Sequence, residues 1–145
     1  MKIHEIKIYQ EFDAPVEVVW DALSDHANFG KLMGIPVERI VDSPEPNNPN
    51  GAGSVRRIKI PLFGFEETIL KADKPNYIEY KISKGTPLNH HLGKIQFKAL
   101  PGQRSAVDYT ITVGSKVPLL GAIVKDGLGK GISKSLKSYA KRLQK

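Results

Sequence analysis

Cysteine is absent from all 145 residues. That excludes disulfides, thiolate metal sites and thiol nucleophiles together. Long hydrophobic runs are absent as well, for no stretch approaches the ~18 apolar residues that a membrane span needs. The opening Met1-Lys2-Ile3-His4-Glu5 has no continuous apolar core of the secretory kind, so a cytoplasmic location is the expectation. No glycine-rich turn stands between a strand and a helix to cradle phosphates, so no nucleotide or other cofactor is expected. Histidines are few. His90 and His91 are adjacent, but neighbouring strand residues point to opposite faces, and no other His, Asp or Glu lies at ligand spacing beside them; no metal site is expected. There is no internal repeat and no interdomain linker, and the length suits one domain over residues 1–145 with room for a core or for a core and a cavity.

Acidic residues are scarce at one end only. The net charge is +7, yet residues 1–118 are almost balanced. From Leu119 onward Lys125, Lys130, Lys134, Lys137, Lys141, Arg142 and Lys145 face Asp126 alone. The basicity therefore belongs to the C-terminal segment.

What is present is a clear succession of periods. Ile3, Ile6, Ile8 and Tyr9 lie in an opening strand that ends at Phe12. Asp13 or Ala14 can then cap a helix, Pro15 suits its first turn, and Val16, Val19, Trp20 and Leu23 fall on one helical face. A second short helix follows to Met33, capped by Ser24 or Asp25 and stopped by Gly34 and Pro36. Val37–Val41 reads as a strand, and 43–53 as an exposed loop. Period-2 patterning marks Val55–Ile60, Phe65–Ala72, Asn76–Ser83, Asn89–Leu100 and Arg104–Val113 as strands, with hairpin connections at Pro61–Gly64 and Pro101–Gln103. From Leu119 the period becomes helical. Leu120, Val124, Leu128, Ile132, Leu136, Tyr139 and Leu143 share one arc, with Lys130, Lys134, Lys137 and Lys141 opposite. An antiparallel meander needs one face covered, and this helix has one apolar stripe to offer. The fold class is α+β: a curved antiparallel sheet of six or seven strands around a long C-terminal helix, with two short helices after the first strand.

Strand alternation sorts the faces. Arg56, Ile58 and Ile60 point inward, as do Phe65, Glu67 and Ile69 if the hairpin pairs Ile60 with Phe65. Ile78, Tyr80 and Ile82, then His91, Gly93, Ile95, Phe97 and Ala99, then Val107, Tyr109, Ile111 and Val113 complete the expected inner face. The polar members of this set, Arg56, Glu67, Tyr80, His91 and Tyr109, need partners, since an unpaired buried group costs about 1–3 kcal/mol. Either they form a structural ion pair and satisfied tyrosines, or they converge in an apolar cavity of the kind that holds small molecules. Trp20 reads as core. Gly121, Gly127, Gly129 and Gly131 weaken the final helix, by about 1 kcal/mol each relative to alanine. Close packing or a kink accounts for them as readily as room left for a ligand, so kink against continuous helix stays open.

The chain resembles the START-like superfamily, also called Bet v 1-like or SRPBCC, and especially its polyketide cyclase/dehydrase-like bacterial branch. The resemblance rests on Ala14-Pro15, Val19-Trp20 and Leu23-Ser24-Asp25, then Gly51-Ala52-Gly53-Ser54-Val55-Arg56-Arg57, then Glu67, Tyr80 and the long final helix. It covers essentially the whole chain. It implies a helix-grip fold with a cavity between sheet and helix, and loops at Pro61–Gly64 and Gly85–Asn89 that correspond in position to gate and latch.

Two functions from different classes follow. One is binding of a hydrophobic or amphipathic small molecule (polyketide-like, lipid or isoprenoid). Its expected ligand-binding residues are Arg56, Ile58, Ile60, Phe65, Glu67, Tyr80, His91, Phe97, Tyr109, Leu120, Val124 and Leu128, with a mouth near Leu62-Phe63 and Leu88-Asn89. The other is a cyclase or dehydratase, with His91 as base, Tyr80 or Tyr109 as acid and Arg56 stabilising an enolate. A nucleic-acid partner is not expected, because aromatics and arginines do not interleave the lysine stripe. The stripe reads as a solvated outer face rather than a membrane contact, since the apolar side of the helix is needed to cover the sheet. Oligomeric state is left open.

Overall fold

A computed structural model describes residues 1–60, 63–85 and 87–144. Its strands are β1 (Ile3–Phe12), β2 (Val37–Val41), β3 (Val55–Ile60), β4 (Phe63–Asp73), β5 (Tyr77–Lys84), β6 (His90–Leu100) and β7 (Arg104–Gly114). They form one antiparallel sheet in the order β1-β7-β6-β5-β4-β3-β2. Helices α1 (Val16–Ser24) and α2 (His26–Met33) lie between β1 and β2, and α3 (Leu120–Leu143) ends the chain. The meander from β2 to β7 places β1 against β7, so both chain ends of the sheet are tied by long ladders. This is the helix-grip arrangement.

Local chemistry explains most boundaries, with two departures from expectation. Asp13 does not cap α1, whose N-cap position is Pro15 without a side-chain bond. Its carboxylate is taken instead by Arg104 Nε at 2.7 Å, tying the start of α1 to β7. Asp25 caps α2 as anticipated, accepting from the Asn28 backbone N–H at 2.9 Å, and Gly34 ends that helix at φ 71. The second departure is at the β3–β4 hairpin. Pairing continues to Ile60↔Phe63, so Ile58, not Ile60, faces Phe65. The ladder closes two residues nearer the turn, which preserves parity and leaves Glu67 and Ile69 buried on the inner side.

The core is not uniform along α3. Its C-terminal half is clamped, with Leu136, Tyr139 and Ala140 buried and Tyr139 against the Phe12 ring. In its N-terminal half Leu120, Val124, Leu128 and Ile132 are only half-buried. Trp20 of α1 packs edge-on against Phe97 of β6, with centroids 5.0 Å apart, so the core reading of Trp20 matches its environment. α3 runs unbroken through Gly127, Gly129 and Gly131. A helix held tightly at one end and loosely at the other leaves space beneath the loose end.

Candidate functional site

That space is a cavity of about 180 Å³ between the N-terminal half of α3 and the sheet. The sheet contributes Ile58, Phe65, Glu67, Tyr80, His91, Tyr109 and Ile111. α2 and its exit contribute Phe29, Met33 and Ile35, and α3 contributes Gly127, Leu128, Gly131 and Ile132. The wall is almost wholly apolar, with the polar groups gathered on the sheet.

Beneath it lies the Arg56–Glu67 pair. The two residues face each other directly across β3 and β4, with Arg56 Nε donating to Glu67 Oε1 at 2.8 Å. Arg56 is 2% exposed, and its guanidinium sits between the rings of Phe29, 4.3 Å away, and Tyr80, 4.8 Å away. Cation–π contact replaces part of the lost hydration, yet Nη2 has no hydrogen-bond partner among the described residues. Burial pushes the Glu67 carboxyl up, and the guanidinium beside it pulls it part of the way back.

Tyr80 lies flat across β6 because its neighbour there is Gly93, where a Cβ would overlap the ring. In that position its hydroxyl hydrogen-bonds the Tyr109 hydroxyl. Burial raises the pKa of both phenols. His91 stands edge-on to Tyr80, with centroids 5.9 Å apart. It is 7% exposed, and neither ring nitrogen has a partner among the described residues. Burial first, then the Arg56 charge and the neighbouring His90, lower its pKa to about 4. The imidazole is neutral at physiological pH, with one N–H donor and one acceptor unused beside an apolar space.

Of the residues expected to bind ligand, Ile58, Phe65, Glu67, Tyr80, His91, Tyr109 and Leu128 line the cavity. Four do not. Arg56 lies beneath the wall in its ion pair, and Phe97 is consumed by Trp20. Val124 and Leu120 lie one and two turns, respectively, too far toward the start of α3. The side chain of Ile60, and Leu62 at the expected mouth, fall outside the described residues; Leu88 is partly buried and packs against the core. Phe29, Met33 and Ile35 were not anticipated, since only tertiary packing brings α2 over this part of the sheet. Gly127, Gly131 and Ile132 follow from the helical register of Leu128 once the cavity is centred there. His26, unremarkable in sequence, is buried with Nε2 2.9 Å from Ser54 Oγ and a pKa lowered to about 3 by burial, then by Arg56 and Arg39. It lies outside the cavity. Among the described residues no three His, Asp or Glu side chains form a metal cluster, and no helix is long and apolar enough to cross a membrane.

Residues 4–145 match the family described as polyketide cyclase / dehydrase and lipid transport. The chain belongs to that family. Three solved structures illustrate its fold. A START superfamily protein from Mycobacterium smegmatis superimposes with a TM-score of 0.79 at 15% identity, over 97% of this chain and 99% of that one. The Zhui aromatase/cyclase from Streptomyces sp. R1128 gives 0.76 at 14%, over 97% and 95%. Norcoclaurine synthase from Thalictrum flavum, in complex with dopamine and hydroxybenzaldehyde, gives 0.71 at 11%, over 99% and 90%. No protein of curated function matches the sequence. At these identities the likeness is one of fold. In this chain a polar cluster stands on a largely apolar cavity wall.

Proposed function

We propose that this chain binds a hydrophobic or amphipathic small molecule in the cavity between sheet and α3. The observation that carries the reading is His91, buried, neutral and with both ring nitrogens unused on a largely apolar wall. A buried polar group left unpaired costs about 1–3 kcal/mol, a cost that a ligand hydroxyl or carbonyl removes. Size narrows the class. A cavity of about 150 Å³ accommodates benzene, so 180 Å³ suits one substituted ring without movement of α3. The fold holds molecules of that size in norcoclaurine synthase, whose structure contains dopamine and hydroxybenzaldehyde. Larger polyketide, lipid or isoprenoid ligands require the loosely packed half of α3 to lift.

The enzymatic alternative has the same residues around the same cavity: His91 as base, with Tyr80 or Tyr109 as acid. The electrostatics favour binding over it. General acid–base catalysis works best with pKa values near the operating pH. Burial moves His91 down, making it a weak base, and moves both phenols up, making them reluctant acids.

Native mass spectrometry of protein purified from its own host tests the proposal. The expected result is a co-purifying apolar metabolite of low mass that is depleted in His91→Ala. Protein that carries no small molecule, and takes none from an extract of apolar host metabolites, argues against it.

A further inference from the structure

The helical arc that covers the sheet accounts for most apolar residues of α3, but two apolar side chains at its start face away from the protein. Ile123 is 66% exposed, and Leu119, at the N-cap, is 78% exposed. Val117 in the preceding turn is 50% exposed. Leu119 also holds φ 68, a left-handed conformation that is uncommon for non-glycine residues and in which Asn and Asp are enriched. Neither packing nor backbone preference within the folded chain favours leucine there.

These side chains are continuous with the lysine row. At ~100° per residue, Leu119, Ile123, Lys130, Lys134, Lys137 and Lys141 occupy one side of α3 within about 60°. All are exposed. The row from Lys130 to Lys141 runs about 16 Å along the axis at 1.5 Å per residue. The single acid in α3, Asp126, pairs with Lys130 at 3.1 Å and leaves the other three lysines without an acidic partner among the described residues. Lys116 and Lys2 add charge beside Val117 and Leu119. Apolar tips followed by a basic row is the pattern of a surface that inserts into the acyl boundary and meets anionic headgroups.

We infer that the outer face of α3, with Val117, Leu119 and Ile123 as its inserting tip, docks on an anionic lipid bilayer. A second copy of the chain is a poor occupant, because the same lysines would face one another. Nucleic acid would use the lysines and leave Leu119 and Ile123 unexplained. Gly127, which lines the cavity, lies one turn beyond Ile123 on the same helix, so docking brings the loose end of α3 to the membrane surface. The inference concerns the outer face and stands independently of cavity occupancy.

Co-sedimentation of the full chain with vesicles tests it, using phosphatidylcholine alone and phosphatidylcholine mixed with phosphatidylglycerol. The expected result is partition onto the anionic vesicles only, weakened by salt. Leu119→Asn with Ile123→Gln respects the left-handed φ and the helix, so folding is retained, and it should abolish partition. Lys134→Gln with Lys137→Gln should weaken partition by about 25-fold, each lysine near such a surface contributing roughly five-fold. Absence of partition onto anionic vesicles overturns the inference, as does partition that Leu119→Asn/Ile123→Gln leaves unchanged. A dimer in sedimentation velocity that the same pair dissociates identifies a second copy as the occupant. Oligonucleotide binding in place of vesicle binding identifies nucleic acid, and either result also overturns the inference.

Discussion

Arg56 and Glu67 occupy positions where neither charge reaches water, and each is tolerable only because the other is there. Removing one partner of a buried pair costs about 3–5 kcal/mol, whereas replacing both with apolar groups of similar volume is often close to neutral. Arg56→Met or Glu67→Leu alone should therefore lower the urea midpoint sharply, and Arg56→Met/Glu67→Leu should recover most of the loss. If the double variant is as unstable as the sum of the singles, the pair is not coupled as its 2.8 Å contact implies. Gly93 is the second decisive residue. Alanine there would press into the Tyr80 ring, and overpacking of this kind costs about 1–3 kcal/mol. Gly93→Ala should be destabilising and should separate the two tyrosine hydroxyls, seen as a change in the near-ultraviolet circular dichroism. A variant as stable as wild type with an unchanged spectrum would place Tyr80 elsewhere.

At the scale of elements, α3 carries the tension between stability and function. An added Cβ at Gly127 or Gly131 meets nothing within 4 Å, and both glycines line the cavity. Gly127→Ala and Gly131→Ala should each stabilise the protein, by up to about 1 kcal/mol from helix propensity, while weakening any ligand that fills the cavity. Denaturant melts of the two variants check the first half. Stabilisation without loss of binding would show that the glycines do not keep room for a ligand. The element pattern itself was readable in sequence, because period 2 and period 3.6 are local properties: β6 and β7 and the whole of α3 lie within a residue of expectation at each end. The cap of α1 was not readable. Asp13 has the right chemistry for a cap, but Arg104, 91 residues away in sequence, competes for its carboxylate.

At the scale of the whole molecule the buried imidazoles make stability depend on pH. His26 and His91 have folded-state pKa values of about 3 and about 4, below the ordinary 6.5. The unfolded chain therefore takes up protons on these rings before the folded one does. Their contribution is present above pH 6.5 and is lost as pH falls toward 4 and 3, at roughly 1.4 kcal/mol per pH unit per group at most. Glu67, raised by burial, acts in the opposite sense. Thermal melts between pH 7 and 4 should show a falling midpoint, with a shallower fall in His26→Gln, which retains an amide in reach of Ser54. Equal slopes for both proteins would mean that His26 is not held neutral. The site was legible only in part for a related reason. Strand alternation placed Tyr80, His91 and Tyr109 on one face from local pattern alone, but Phe29, Met33 and Ile35 reach the cavity through the docking of α2 on the sheet, and no spacing in the sequence encodes that. Nor could alternation distinguish Phe97, whose inward face is filled by Trp20, from residues that border open space.

The central claim is that the cavity accepts a small apolar molecule and that His91 hydrogen-bonds it. The most direct measurement is a titration of 15N-histidine-labelled protein with 4-hydroxybenzaldehyde, followed at the imidazole nitrogens. Saturable shifts at the His91 nitrogens, with His90 unmoved and with the effect abolished in Gly131→Leu, are the predicted result. Shifts that never saturate, or that persist unchanged when Gly131→Leu fills the cavity, would contradict the account.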